Sequence, residues 1–212
     1  MKTDNQLINE IWKDIPEEEK KEQGEINKFN LIAKLARGKT LDVGYSHKPN
    51  PFLTNVIGVD IEKPLKPANY DKIIVADLEQ DRLPFKANSF DTVIAADFLE
   101  HVQNVGNIMK EIHRVLKPKG RLIVSIPNPY NPTIMFMELF KLYQIGDNAK
   151  QPGIGHVHTF LESDFKTLLF KHKIKVDKIY GTYIQIPFTR KQISFNNLPN
   201  LTFLKLYVCT KR

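Results

Sequence analysis

Five short apolar runs punctuate the middle of the chain: TLDV (40–43), VIGV (56–59), KIIV (72–75), TVIAA (92–96) and RLIVSI (121–126). Most lack the in–out alternation of a half-exposed strand, which is the pattern of parallel strands covered on both faces. Parallel neighbours cannot be joined by a tight hairpin; they need crossovers, commonly helical. One helical pattern, over about 104–116, separates the fourth and fifth runs, with Val105, Ile108, Met109, Ile112, Val115 and Leu116 on its apolar side. Another, over about 25–37, puts Ile26, Phe29, Ile32, Ala33 and Ala36 on one face ahead of the stop at Gly38. Strands alternating with helices select a doubly wound α/β sheet.

The flanks differ from this middle. Residues 5–22 have helical spacing (Leu7, Ile8, Ile11, Trp12, Ile15), with Pro16 starting a new turn. Residues 131–145 are rich in Met and Phe and too apolar all round for a surface helix. Such a segment is either buried on the domain, a lid over an apolar substrate, or a partner or membrane contact. Thr159 to Glu162 resembles a capping box that opens a helix to about 171. Two β-rich runs follow, 175–183 and 203–210, joined by a polar loop containing Pro187 and Pro199, and they should pair antiparallel at the sheet edge.

A chain of 212 residues suits one well-buried domain. The expected division is N-terminal helices over 1–37, a cofactor-binding core over 38–130, a candidate lid over 131–160, and a C-terminal helix with edge strands over 161–212. The lone cysteine, Cys209, excludes an intrachain disulfide and a cysteine-built metal cluster; it reads as a small buried filler. No signal-peptide core and no run of about 18 apolar residues is present, so the expectation is a cytoplasmic, soluble protein. Charge is uneven: residues 1–106 carry 14 Lys/Arg against 18 Asp/Glu, and residues 107–212 carry 17 against 6. A basic half can face an anionic partner, or simply water, and no aromatic-interleaved basic run points to nucleic acid.

The strand ends carry the chemistry. LDVG (41–44), VIGVD (56–60), VADL (75–78), FDTVIAADFLEHV (90–102) and VLKPKG (115–120) running into LIV (122–124) follow one another along the chain. In this order and spacing they resemble the class I S-adenosylmethionine (SAM)-dependent methyltransferases, over roughly residues 25–212, and most of all the small-molecule branch that includes quinone-biosynthesis enzymes. The resemblance implies a Rossmann-like sheet, mostly parallel, with a C-terminal antiparallel strand pair. It also implies SAM as cofactor, Asp60 and Ile61 at the ribose, Asp77 and Leu78 at the adenine, and Asp42, Gly44 and Asp97 on the methionine side.

The residues fit that chemistry on their own. A carboxylate can accept both hydroxyls of an adenosine ribose, and Asp60 lies 18 residues after Asp42, close to the usual offset of about 20. Taken singly, each aspartate reads more simply as a turn or helix cap. Parallel strands present ligands at their C-terminal ends, so Gly44, Asp60, Asp77 and Asp97 should share one rim. A dehydrogenase needs a G-x-G-x-x-G cradle for pyrophosphate, and here Gly44 stands alone. SAM has no phosphate, so the missing glycines count against NAD more than against SAM. Only 11 residues separate Gly44 from Val56, two of them the prolines 49 and 51, so the first crossover helix must be a stub or absent. Backbone at Gly44 and Tyr45 should serve there, with Tyr45 covering the cofactor or packing in the loop.

Methyl transfer from a sulfonium needs alignment, plus a base where the acceptor loses a proton. His101, His156 and His158 are the candidate bases, with His101 and His156 foremost; a helix-entry or loop-pinning role competes for each. Asp97, Glu100 and His101 are similar to a Glu-x-x-Glu-His run that holds a divalent cation in some relatives, though the same pair also occurs without metal, and no metal is assigned. Asn128-Pro129-Tyr130 imitates an amine-methyltransferase motif but follows the fifth strand, where a strand exit is simpler. The expected partner is a small acceptor, apolar or anionic, with a peripheral membrane contact left open. The alternatives are an inactive methyltransferase-like binding protein and a nucleic-acid methyltransferase.

Overall fold

In chain order the strands and helices are α1 (Gln23–Leu35), β1 (Thr40–Val43), β2 (Val56–Asp60), β3 (Lys72–Val75), β4 (Phe90–Ala96), α2 (Val105–Val115), β5 (Leu116–Pro127), α3 (Pro132–Leu139), α4 (Glu162–Lys171), β6 (Ile174–Gly181), β7 (Tyr183–Gln185), β8 (Gln192–Ser194) and β9 (Leu204–Lys211). The structure is a computed structural model that describes residues 23–45, 49–64, 69–139, 156–185 and 192–212. The expected helix over 5–22, and the part of the Met/Phe-rich segment beyond residue 139, lie outside the described residues.

The sheet has seven strands in the order β3-β2-β1-β4-β5-β9-β6. The first five are mutually parallel, and β9 pairs antiparallel with both β5 and β6. The chain reverses direction across the sheet beside β1, between β2 and β4, which is where a doubly wound sheet opens a crevice. The bare apolar strands are buried on both faces, as their sequence demands. Val93 and Ala95 of β4, with Leu122 and Val124 of β5, enter one core beneath α2 and α4. Their alternate neighbours Ile94 and Ile123 enter a second core with Ile32 of α1. Of the five parallel strands, β3 at the outer edge is the one left largely uncovered.

Helix α2 forms where the apolar periodicity required it, burying Ile108, Met109, Ile112 and Val115. Its ends are satisfied by side chains. Asn104 caps the first turn by accepting from the Asn107 N–H at 3.1 Å, and Glu79 accepts from the Gln103 and Asn104 N–H groups. At the other end Lys211 donates to the carbonyls of His113 (2.7 Å) and Leu116 (2.6 Å), where the helix dipole favours a cation.

Three expectations change. Helix α4 begins at Glu162 after Leu161, with no side-chain cap, so Thr159 and Glu162 form no capping box. Glu162 instead pairs with Lys166 and Lys205. The stretch Lys117-Pro118-Lys119-Gly120, which reads as a turn signal closing the helix over 104–116, stays in the sheet: Phe90 pairs with Leu116 and Thr92 with Arg121, and the residues between bulge out, with Lys119 at φ +60°. The polar stretch after β6 contains a hairpin, β7–β8, that packs on α1. The antiparallel pair itself forms, with β9 next to β5 and β6 outermost. Among the described residues no helix is long and apolar enough to cross a membrane.

Candidate functional site

The C-terminal ends of β1, β2, β3 and β4 surround two adjoining cavities. The larger, about 380 Å³, is lined by Asp60, Ile61, Asp77, Leu78 and Phe98 among others. The smaller, about 280 Å³, is lined by Glu25, Lys28, Asp42, Tyr45, Asn50 and Ala96 among others. Gly44, Asp97 and His101 border both. Gly44 and the three acids expected on one rim, Asp60, Asp77 and Asp97, all border these cavities.

Gly44 is at φ +66°, where the chain leaves β1, and its N–H donates to the Val59 carbonyl at 2.9 Å, which continues the ladder with β2. A Cβ at this position would strike the Phe98 ring. That cradle is where the two cavities meet. No helix occurs among the described residues between β1 and β2, in keeping with the short connection. Instead Asn50 folds back: its side chain donates to the Phe29 carbonyl at 2.9 Å, and its N–H donates to the Tyr70 hydroxyl at 3.0 Å.

Tyr70 in turn donates to the buried Asp42 carboxylate at 2.5 Å. Burial raises Asp42 to a pKa of about 7; the Tyr70 hydrogen bond opposes the rise and the Asp60 charge adds to it. Tyr45 packs in the loop, edge-on to Tyr70 (centroids 5.7 Å, 83°), with its hydroxyl donating to the Glu62 carbonyl at 3.1 Å. One side of it still lines the smaller cavity. Asp60 accepts from the Ile61 N–H at 2.7 Å, and Asp77 accepts from the Glu79 N–H at 2.9 Å. Both carboxylates shape their turns while bordering the larger cavity.

Asp97 is the first residue past β4 and sits at φ +50°. It is held from two sides. Ser125 on β5 donates its hydroxyl to one carboxylate oxygen, and the Lys28 ammonium of α1 donates to the other at 2.5 Å. Lys28 is 2% exposed. Burial pushes its pKa down, but the charges of Asp97 and then Glu25 outweigh burial and hold it charged. Sequence reasoning overlooked Lys28, Glu25, Asn50 and Tyr70. The signal for Lys28 was its place four residues after the small Gly24 and four before Ile32, a buried helical line.

The turn after β4 carries Glu100 and His101. The Glu100 carbonyl accepts from the Val157 (2.9 Å) and His158 (3.1 Å) N–H groups, which brings His156 beside His101 with ring centroids 4.9 Å apart. Glu100 is buried, and one of its carboxylate oxygens has no hydrogen-bond partner among the described residues. Burial and then the Asp97 charge push its pKa up. His156 is pushed down, by burial and then by His101, so it is neutral at pH 7 and can accept a proton. Glu100, His101 and His156 each offer one ligand atom, all within 4.8 Å of one another, a set able to hold a divalent cation. His158 stands apart, its ring nitrogen 3.3 Å from the Gln103 carbonyl. Asn128 spends its side chain on the Asn200 and Thr202 carbonyls, so the Asn-Pro-Tyr run is a strand exit.

This sheet order, with its antiparallel C-terminal pair, is the class I methyltransferase fold. A SAM-dependent methyltransferase of Thermotoga maritima superposes with a TM-score of 0.64 at 17% identity, covering 92% of this chain and 95% of that one. Magnesium protoporphyrin IX methyltransferase from Synechocystis, solved with S-adenosylhomocysteine bound, gives 0.59 at 16% identity over 94% and 89%. Residues 41–124 match the family model described as a methyltransferase domain. Demethylmenaquinone methyltransferase of Lactobacillus johnsonii is 33% identical over 101 residues, 42% of this chain and 41% of that protein. The chain spans about half or less of the length of the curated relatives it matches.

Proposed function

We propose that the protein transfers the methyl group of SAM to a small, apolar acceptor. The observation that carries this is the meeting of Gly44, Asp60, Asp77 and Asp97, from four strand ends, around two cavities joined at one glycine. The donor set fits an adenosyl amino acid. Asp60 would take the ribose hydroxyls, Asp77 and Leu78 the adenine, and Asp42, Gly44 and Asp97 the methionine end. SAM supplies a methyl group on a sulfonium, so the protein's work is mainly to align it with the acceptor. His101 borders both cavities and His156 stands beside it, so His156, uncharged at pH 7, can take a proton from an acceptor hydroxyl or amine. Two similar proteins, named for demethylmenaquinone and magnesium protoporphyrin IX, support an apolar ring as the acceptor class. One sheet runs from residue 40 to residue 211, and we read the chain as a single domain, working in the cytoplasm.

Titration calorimetry with S-adenosylhomocysteine tests the reading. The wild-type chain should bind it, and Asp60→Ala should weaken binding by about 30-fold or more, since hydrogen bonds to a charged acceptor are each worth roughly 1.5–3 kcal/mol. Absence of binding at millimolar ligand, or equal binding by the variant, would reject it. Thermal-shift screening of quinols and other ring acceptors alongside S-adenosylhomocysteine then identifies the acceptor.

A further inference from the structure

The β1–β2 connection has neither a glycine-rich turn nor, among its described residues, a helix to grip an amino-acid end. We infer that Lys28, on α1 and outside the matched residues 41–124, is the anchor for the carboxylate of the cofactor's methionine end. The inference rests on the reading that the smaller cavity takes that end of SAM.

Three observations lead to it. First, Lys28 is almost fully buried and borders this cavity together with Glu25, Asp42 and Asp97. An ammonium has three N–H donors. Among the described residues, Asp97 takes one at 2.5 Å, while Glu25 stands at 3.7 Å, beyond hydrogen-bond reach. Donor capacity is left over, facing a cavity.

Second, the charge pattern is that of a zwitterion's complement. One cation sits among several acids, so a carboxylate can meet Lys28 while an ammonium meets Asp97 or Asp42. A buried charge is costly unless paired, and a pocket carrying both signs is matched by a ligand carrying both.

Third, the helix that delivers Lys28 is fastened from two directions. The hairpin β7–β8 holds its first turns: Gln192 accepts from the Gly24 N–H at 2.9 Å, and Asn27 donates to the Ser194 hydroxyl at 2.7 Å. A Cβ at Gly24 would run into Tyr183. From the other side Asn50, on the short connection itself, holds the Phe29 carbonyl. The short connection thus fixes the neighbouring helix, and that helix carries the cation to the rim. The competing account, an ion pair that only steadies Asp97, predicts no discrimination between ligands with and without a carboxylate.

Calorimetry on the full chain with three ligands tests the inference: S-adenosylhomocysteine, its decarboxylated analogue that keeps the ammonium, and 5′-methylthioadenosine, which lacks the amino-acid end. The wild type should bind S-adenosylhomocysteine about tenfold or more tighter than the decarboxylated analogue. In Lys28→Met and Lys28→Gln that ratio should fall to about one, with 5′-methylthioadenosine affinity unchanged. Glutamine keeps a hydrogen-bond donor for Asp97, so it decides the matter should the methionine variant fail to fold. A ratio near one in the wild type, an unchanged ratio in the variants, or an equal loss for all three ligands would overturn the anchor role. Failure of the wild type to bind any of the three would reject the cofactor reading itself, and the anchor with it.

Discussion

The two cavities lie side by side but are assembled differently. The larger is built locally: Asp60 and Ile61 close β2, Asp77 and Leu78 follow β3, and each side chain shapes the turn from which it projects. The smaller is built at long range. Its acid Asp97 is positioned by Ser125 from β5 and Lys28 from α1, and its acid Asp42 by Tyr70, itself donated to by Asn50. A locally built site tolerates change elsewhere, whereas a long-range one couples binding to the packing of several elements.

The contrast can be broken most directly at its seam. Gly44→Ala should cost the most. The left-handed φ is worth about 1–2 kcal/mol against any side chain, and the new methyl must displace the Phe98 ring. Loss of S-adenosylhomocysteine binding and a melting temperature lowered by several degrees are expected in calorimetry and thermal denaturation. Asp60→Ala should remove affinity, about 30-fold or more, with a smaller change in melting, because its hydrogen bond to the Ile61 N–H is local.

Tyr70→Phe should do the reverse of Asp60→Ala: it leaves a buried carboxylate without its donor and costs about 1–3 kcal/mol of stability by urea denaturation. Its effect should grow with pH. The folded state holds the Asp42 proton up to about pH 7, against 3.8 for the ordinary carboxyl, so stability falls as pH rises across that window. Asp42→Asn should flatten the fall. The smallest effect is expected at Glu100→Gln. The folded state also favours the protonated form of Glu100, so the amide should raise the melting temperature by a few degrees at pH 8.5 and leave it unchanged at pH 4. An equal shift at both pH values would mean that packing, not the proton, is responsible.

The parallel half of the sheet was legible because each strand states its own environment. Val93, Ile94 and Ala95 have no polar alternation since two different cores take their side chains. The four rim residues were legible for the same local reason: each stands at, or one or two residues past, the end of a strand. Lys28 was not, because a lysine within a helical pattern reads as solvated until Asp97, 69 residues away, is placed beside it. The β7–β8 hairpin escaped notice too. Its strands are three residues each and draw their meaning from the helix they clasp. Thr159 and Glu162 show the opposite error, a local motif overridden when Lys166 and Lys205 claimed the glutamate.

By itself, then, the amino-acid order determined a doubly wound sheet and the positions of the acids at its strand ends. Those follow from periodicity and short spacings, which act within a few residues. Tertiary structure alone decided which charges meet. Ion pairs and shared protons depend on distances of a few ångströms between residues far apart in the chain, and only the completed packing of α1, β4, β5 and the hairpin sets them.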